Sequence, residues 1–162
     1  MSFKTTDLCD KFAGNAHHLQ IAEPIFQSFG GVHSFRGRIS TLRIFEDNVL
    51  LGQVLAEKVD GTILVVDGGG SHRCALLGFN QARLASDNGW RGVIVYGCIR
   101  DSVEISRLPI GVLALHTHPM DSHKRGGGER DCLITFAGVN FRTGNYLYAD
   151  EDGVIVSDDK LV

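Results

Sequence analysis

Hydrophobic and polar positions along the chain fall into short apolar runs separated by glycine-rich breaks, with few long amphipathic stretches. Phe35 to Phe45 alternates as a strand does, with Ile39, Leu42 and Ile44 as its apolar positions, and Asp47 to Lys58 then reads as a helix. Ile63-Leu64-Val65-Val66 is continuous, apolar and rich in β-branched residues, and it ends in Asp67-Gly68-Gly69-Gly70. That pattern predicts a strand buried on both faces. Asn80 to Asn88 has helical character and stops at Gly89, the residue type favoured at a left-handed helix terminus. Gly92-Val93-Ile94-Val95-Tyr96-Gly97 is a second buried strand, so the centre of the chain is a βαβ unit with a right-handed crossover. Around it, Thr6 is placed to cap a short helix over Asp7 to Phe12, Ser102 to Ser106 makes one helical turn, and Gly111 to His116 is a third apolar strand. After Gly128 the pattern becomes a β-meander: Leu133–Phe136, Val139–Phe141, Tyr146–Ala149 and Val154–Val156, the last two joined through the Asp-Gly signal at Glu151-Asp152-Gly153. The expected class is α/β.

Length and composition bound the rest. At 162 residues, 43% apolar and 22% charged, residues 1–162 make one domain with a real core. Sixteen Lys and Arg against nineteen Asp and Glu leave a formal charge of −3. This argues against direct nucleic-acid binding or attachment to an anionic membrane. No apolar run approaches the roughly 18 residues of a spanning helix. The amino terminus carries no basic start with an apolar stretch behind it, so a cytoplasmic protein is expected. Cys9, Cys74, Cys98 and Cys132 lie far apart with no CxxC pair, which reads as thiols rather than a disulfide frame or zinc site. Eight of the twenty glycines gather at Gly30-Gly31, Gly68–Gly70 and Gly126–Gly128, where backbone must turn tightly or approach something closely.

Three constellations bear on chemistry. A strand leaves through the glycines at Gly68–Gly70, and a helix begins near Gly78. The backbone amides of Phe79, Asn80 and Gln81 therefore point outward at a helix start, where carboxylate or phosphate oxygens bind. The plain alternative is that the glycines only shape a turn. Arg100 and Asp101 follow the end of a parallel strand, the end at which α/β proteins build their sites. Arg100 suits a bidentate grip on a carboxylate, and Asp101 suits Mg²⁺ held by one oxygen with waters completing the shell. Two unrelated surface charges would look the same. His116 and His118 share a face if the strand continues, but no third ligand stands near them, and His17-His18, His33 and His123 show no ligand spacing.

Val65-Val66-Asp67-Gly68-Gly69-Gly70-Ser71, Ala75-Leu76-Leu77-Gly78, Asn88-Gly89-Trp90, Val95-Tyr96-Gly97-Cys98-Ile99-Arg100-Asp101, Thr117-His118-Pro119 and Leu147-Tyr148-Ala149-Asp150 recur together in one known family. In these segments, over nearly the whole chain, the sequence resembles the family named for the regulator of ribonuclease E activity A. That family also contains class II 4-hydroxy-4-methyl-2-oxoglutarate aldolases. The resemblance implies a swivelling-type domain in β/β/α layers, assembled as a homotrimer or dimer of trimers with sites between subunits. It also implies that Gly78, Arg100, Asp101 and Glu104 match the aldolase pattern, whereas members acting only on the ribonuclease can lack the aspartate. Phe79 and His72 are larger than the residues expected at those positions.

With that resemblance, the expected function is a metal-dependent lyase that cleaves 4-hydroxy-4-methyl-2-oxoglutarate to two pyruvates through a pyruvate enolate, with oxaloacetate decarboxylation as a side activity. Asp101 would hold Mg²⁺ or Mn²⁺, Arg100 would neutralise keto and carboxylate oxygens, and Gly78 with the amides of Phe79, Asn80 and Gln81 would hold the carboxylate of a small 2-oxo acid. No lysine stands in the constellation for a Schiff base. The general base is not legible. The alternative is a non-catalytic regulator that docks on a ribonuclease partner.

Overall fold

A computed structural model describes residues 2–14 and 19–162, so His17 and His18 lie outside the described residues. In chain order the elements are α1 (Thr5–Phe12), β1 (Gln20–Ile21), β2 (Gln27–Ser28), β3 (Phe35–Arg43), α2 (Val49–Leu55) and β4 (Ile63–Asp67). They continue with β5 (Ala75–Leu77), α3 (Phe79–Asp87), β6 (Gly92–Ile99), α4 (Ser102–Ile105), β7 (Gly111–Thr117) and β8 (Glu129–Arg130). The chain closes with β9 (Ile134–Phe136), β10 (Val139–Phe141), β11 (Tyr146–Asp150) and β12 (Gly153–Ser157).

The main sheet runs β1-β12-β11-β3-β4-β6-β7-β2, and β9 with β10 makes a separate two-stranded sheet. β3, β4, β6 and β7 are mutually parallel, with Ile63–Asp67 in register with Gly92–Tyr96. The predicted βαβ unit is therefore present as β4-α3-β6. Alternation within the apolar runs explains the layering. Leu64, Val66, Val93 and Val95 face α2 and α3 in one core, while Ile63, Val65 and Ile94 face the β9–β10 hairpin with Phe136 and Phe141 in the other. A sheet buried on both faces gives strands that read as unbroken hydrophobic runs. The result is the β/β/α arrangement. The four C-terminal strands divide their work, β9 and β10 covering the sheet and β11 and β12 extending it beside β3.

Two helices differ from the sequence expectation for tertiary reasons. α1 begins at Thr5, not after a Thr6 cap, because the Asp150 carboxylate at the end of β11 accepts hydrogen bonds from Thr5 N–H at 2.8 Å and Thr5 Oγ1 at 2.6 Å. A distant carboxylate performs the capping. α2 spans Val49–Leu55 rather than Asp47 to Lys58. Asp47 turns inward, accepting from Val49, Arg125 and Gly126 N–H, and the far end is closed when Asn88 Nδ2 donates to the Leu55 carbonyl and Trp90 Nε1 to that of Glu57. No described helix is long and apolar enough to cross a membrane.

Candidate functional site

β5 lies parallel beside the last residues of β6, pairing Ala75 with Cys98 and Leu77 with Ile99, and Arg100 N–H donates to the Leu77 carbonyl at 2.9 Å. Two strands thus end side by side at their carboxyl termini, and Gly78 is brought against Arg100 and Asp101. A Cβ built on Gly78 would lie 3.1 Å from Asp101 Oδ2 and 3.6 Å from Arg100 Nε. The glycine is required by this approach rather than by its dihedrals, which are ordinary extended backbone at φ −118° and ψ −175°.

Asp101 caps α4 with left-handed backbone, φ 59° and ψ 40°, a conformation Asp and Asn adopt more readily than other side-chain-bearing residues. This turn points its carboxylate back at the start of α3, where Oδ2 accepts from Phe79 N–H at 2.9 Å. Among the described residues no hydrogen bond is made to Oδ1, and the side chain is exposed. The amide cradle expected at Phe79, Asn80 and Gln81 is accordingly reduced. Phe79 N–H is taken by Asp101, and the Gln81 side chain folds back so that Oε1 accepts from Gly78 N–H at 2.9 Å. The amides of Asn80 and Gln81 stay open at the helix start. The Phe79 ring packs against the core on the α2–α3 side, so its bulk is turned toward the protein interior.

Arg100 is the cation of the cluster, with its side chain 37% exposed. Its Nη2 lies 3.2 Å from Asp121 Oδ2, and Asp121 Oδ1 in turn accepts from Lys124 Nζ at 3.0 Å. Lys124 is itself held by Asn48 Oδ1. Burial pushes the Asp121 carboxyl up, but Lys124, the Ser122 amide and Arg100 together outweigh it and keep the group below the usual carboxylate range. Asp121 was not found from sequence, because the turn after Pro119 carries no spacing that links it to Arg100. Glu104 sits exposed on α4, one turn beyond Asp101.

The remaining sequence candidates have local duties. Gly68 and Gly70 N–H both donate to the Tyr96 carbonyl and Gly69 N–H to Asp67 Oδ1, so the glycine loop is a self-satisfied turn. His118 Nδ1 accepts from Met120 N–H, and His116 Nδ1 accepts from Thr117 N–H, which fastens both rings to their own backbone at and beyond the end of β7. His72 packs edge-on to His116, with ring centroids 6.4 Å apart. Gly78→Ala puts a methyl group where Asp101 Oδ2 must give way by a few tenths of an ångström. We expect turnover to fall about tenfold, with the melting temperature nearly unchanged. Steady-state kinetics beside a circular-dichroism melt decides it; unchanged turnover would show that Asp101 needs no close contact with Gly78.

Residues 5–156 match the family model RraA-like, described as Aldolase/RraA. A protein of Methylococcus capsulatus is 67% identical over 162 residues and one of Laribacter hongkongensis is 56% identical, each match covering both chains in full. Both carry the provisional name 4-hydroxy-4-methyl-2-oxoglutarate aldolase. Among solved structures, the RNA-processing inhibitor RraA from Thermus thermophilis superposes with a TM-score of 0.94 at 45% identity, covering 100% of this chain and 96% of that one. A structure from Geobacillus kaustophilus, described as an S-adenosylmethionine:2-dimethylmenaquinone methyltransferase, superposes with a TM-score of 0.94 at 50% identity, over 98% and 97% of the two chains.

Proposed function

Because the chain belongs to the RraA-like (Aldolase/RraA) family, we propose that it is a divalent-metal-dependent aldolase acting on 4-hydroxy-4-methyl-2-oxoglutarate, with oxaloacetate decarboxylation as a second outcome of the same chemistry. The observation that carries this reading is the junction of Gly78, Arg100 and Asp101 at the carboxyl ends of β5 and β6, with one carboxylate oxygen left open beside a guanidinium. In the cleavage the C3–C4 bond breaks and the C4 hydroxyl gives up its proton. C4 becomes the keto carbon of one pyruvate, and the bonding pair passes to C3 as the enolate of the other, which takes up a proton there.

The residues fit a hard cation. Asp101 offers Oδ1 while Phe79 N–H fixes Oδ2, and no cluster of three or more His, Cys, Asp or Glu converges among the described residues. One carboxylate with waters and substrate oxygens suits Mg²⁺ or Mn²⁺ far better than a closed histidine or thiolate cage. A cation held there supplies Lewis-acid polarisation of the 2-keto group. Arg100 then neutralises the charge that develops on the substrate, and Asp121 orients its guanidinium. The open amides of Asn80 and Gln81 receive a substrate carboxylate.

Exposure of the site supports completion by a neighbouring copy, in a homotrimer or dimer of trimers. Apolar Val103 is 65% exposed and Met120 64% exposed, and they flank Asp101 and Asp121 in sequence. A second reading, docking on a ribonuclease partner, is favoured by the likeness to the Thermus RNA-processing inhibitor. Pull-down of a ribonuclease by wild type and Asp101→Ala, together with lyase assays, separates the two. The decisive test of the aldolase is chelation: pyruvate release from oxaloacetate should stop with EDTA and return with Mg²⁺ or Mn²⁺. Turnover that persists in chelator would end the metal-dependent reading.

A further inference from the structure

At the opposite end of the sheet, the strands begin around a cavity of about 340 Å³ lined by Arg36, Arg38, Arg91 and Lys160, with Asp60 its one acidic side chain. β6 alone spans Gly92–Ile99, so roughly 25 Å of strand separates this cavity from Arg100. Arg36 and Arg38 share a face of β3, in register with Tyr148 and Tyr146 of β11. The Arg38 guanidinium lies over the Tyr146 ring, and its Nη2 donates to Tyr146 Oη at 3.1 Å. Leu161 N–H donates to Tyr148 Oη at 2.8 Å, which folds the segment carrying Lys160 against the wall. On the other side, the Arg91 guanidinium crosses Gly61, where a Cβ would come within 2.8 Å of Nη2. Gly37 is as tightly constrained, since a Cβ there would meet the Gly61 carbonyl.

One atom of a lining residue is anomalous. Arg36 Nη1 is buried, yet it has no hydrogen-bond partner, the one such side-chain nitrogen or oxygen among the described residues. A buried donor without a partner costs the protein its full desolvation, more so when charged, and native chains satisfy nearly all such groups. Arg36, Arg38, Arg91 and Lys160 outnumber Asp60 and the carboxyl group of Val162, so positive charge is in excess here in a chain whose overall charge is −3. An anionic occupant relieves that excess of positive charge.

We propose that this cavity binds a small, multiply charged oxyanion, the phosphate or polycarboxylate group of a metabolite, gripped by the cationic side chains that line it. Guanidinium groups match such oxygens in a planar, two-pronged fashion, and the volume admits a ligand with a short organic body. Binding joins β3, the loop leading into β4 and the start of β6, so an occupied site raises the melting temperature by mass action.

The test uses inorganic phosphate, glycerol 2-phosphate and citrate, each against chloride at matched ionic strength, with calorimetric titration and thermal melts. Wild type and the charge-matched control Arg142→Gln should bind one of the three and melt higher in its presence. Stronger binding of glycerol 2-phosphate or of citrate tells a phosphate ester from a polycarboxylate. Arg36→Met and Arg91→Gln should weaken that binding about ten- to hundredfold. In chloride alone Arg36→Met should melt no lower than wild type, because it removes an unsatisfied charge while keeping the buried stem. Failure of wild type to bind any of the three at millimolar concentration overturns the proposal, as does equal binding by Arg36→Met. If no anion binds and Arg36→Met changes the sedimentation mass, the cavity belongs to a carboxylate of a neighbouring copy and the proposal also falls.

Discussion

Asp101→Asn is expected to lower the turnover number about 10²–10³-fold without disturbing the fold. The substitution keeps the side-chain shape, and the amide oxygen still accepts from Phe79 N–H, so the contact between α3 and α4 survives. Asparagine tolerates the left-handed backbone at φ 59°, which removes strain as an explanation for lost activity. What disappears is the negative charge at Oδ1, and with it the affinity for a hard cation. Calorimetric Mn²⁺ titration should therefore show weakened binding in parallel with slow oxaloacetate decarboxylation. If the variant binds Mn²⁺ and turns over like wild type, the metal lies elsewhere and the proposed site is wrong.

Arg100→Lys should fail differently. Arg100 uses Nη2 on Asp121 at 3.2 Å and Nη1 on the Pro119 carbonyl at 3.5 Å, leaving Nε and the remaining guanidinium hydrogens for substrate oxygens. A lysine has one nitrogen at its tip and no plane, so it must choose between Asp121 and substrate. Losing a charge-assisted hydrogen bond of this kind costs about 1.5–3 kcal/mol, or about ten- to a hundredfold in kcat/KM. Mn²⁺ affinity should be retained, because Asp101 is untouched. The side chain is partly exposed and its main chain sits in ordinary strand-end pairing, so the melting temperature should hold. Kinetics with Mn²⁺ titration on the two variants side by side separates a metal ligand from an anion grip; a joint loss of Mn²⁺ binding would collapse the two roles into one.

The parts of the fold visible in the sequence are those in which one strand or helix carries its own signal. The runs at Ile63–Val66 and Gly92–Gly97 are apolar on both faces because helices cover one side and the β9–β10 hairpin the other, and that double burial is written into consecutive residues. β5 was not visible: three residues, Ala75–Leu77, have no period to read, and they are a strand because β6 outruns β4 and leaves its last residues unpaired. β1 and β2 are two-residue strands made by their partners β12 and β7. The start of α1 depends on Asp150, some 145 positions along the chain, which local capping rules cannot reach.

The site divides in the same way. Arg100 and Asp101 stand out because a charged pair closes an apolar strand, and Gly78 because it opens a helix. Their meeting depends on β5 pairing with β6, a tertiary fact. The sequence alone does not distinguish the amides of Phe79, Asn80 and Gln81, yet Asp101 occupies the first and the Gln81 side chain closes back on Gly78. Asp121 is invisible for a related reason: it reaches Arg100 only because Ala75 N–H, hydrogen-bonded to the Met120 carbonyl, pins the turn after β7 beside β5.

The left-handed backbone at Asp101 also bears on descent. That conformation admits asparagine and glycine at little cost and penalises nearly every other replacement, so the gentlest change open to the position is also the one that removes its charge. A lineage can therefore lose the charge at this position in a single step, with no unstable ancestor in between, and keep a folded, displayable surface for selection to reuse.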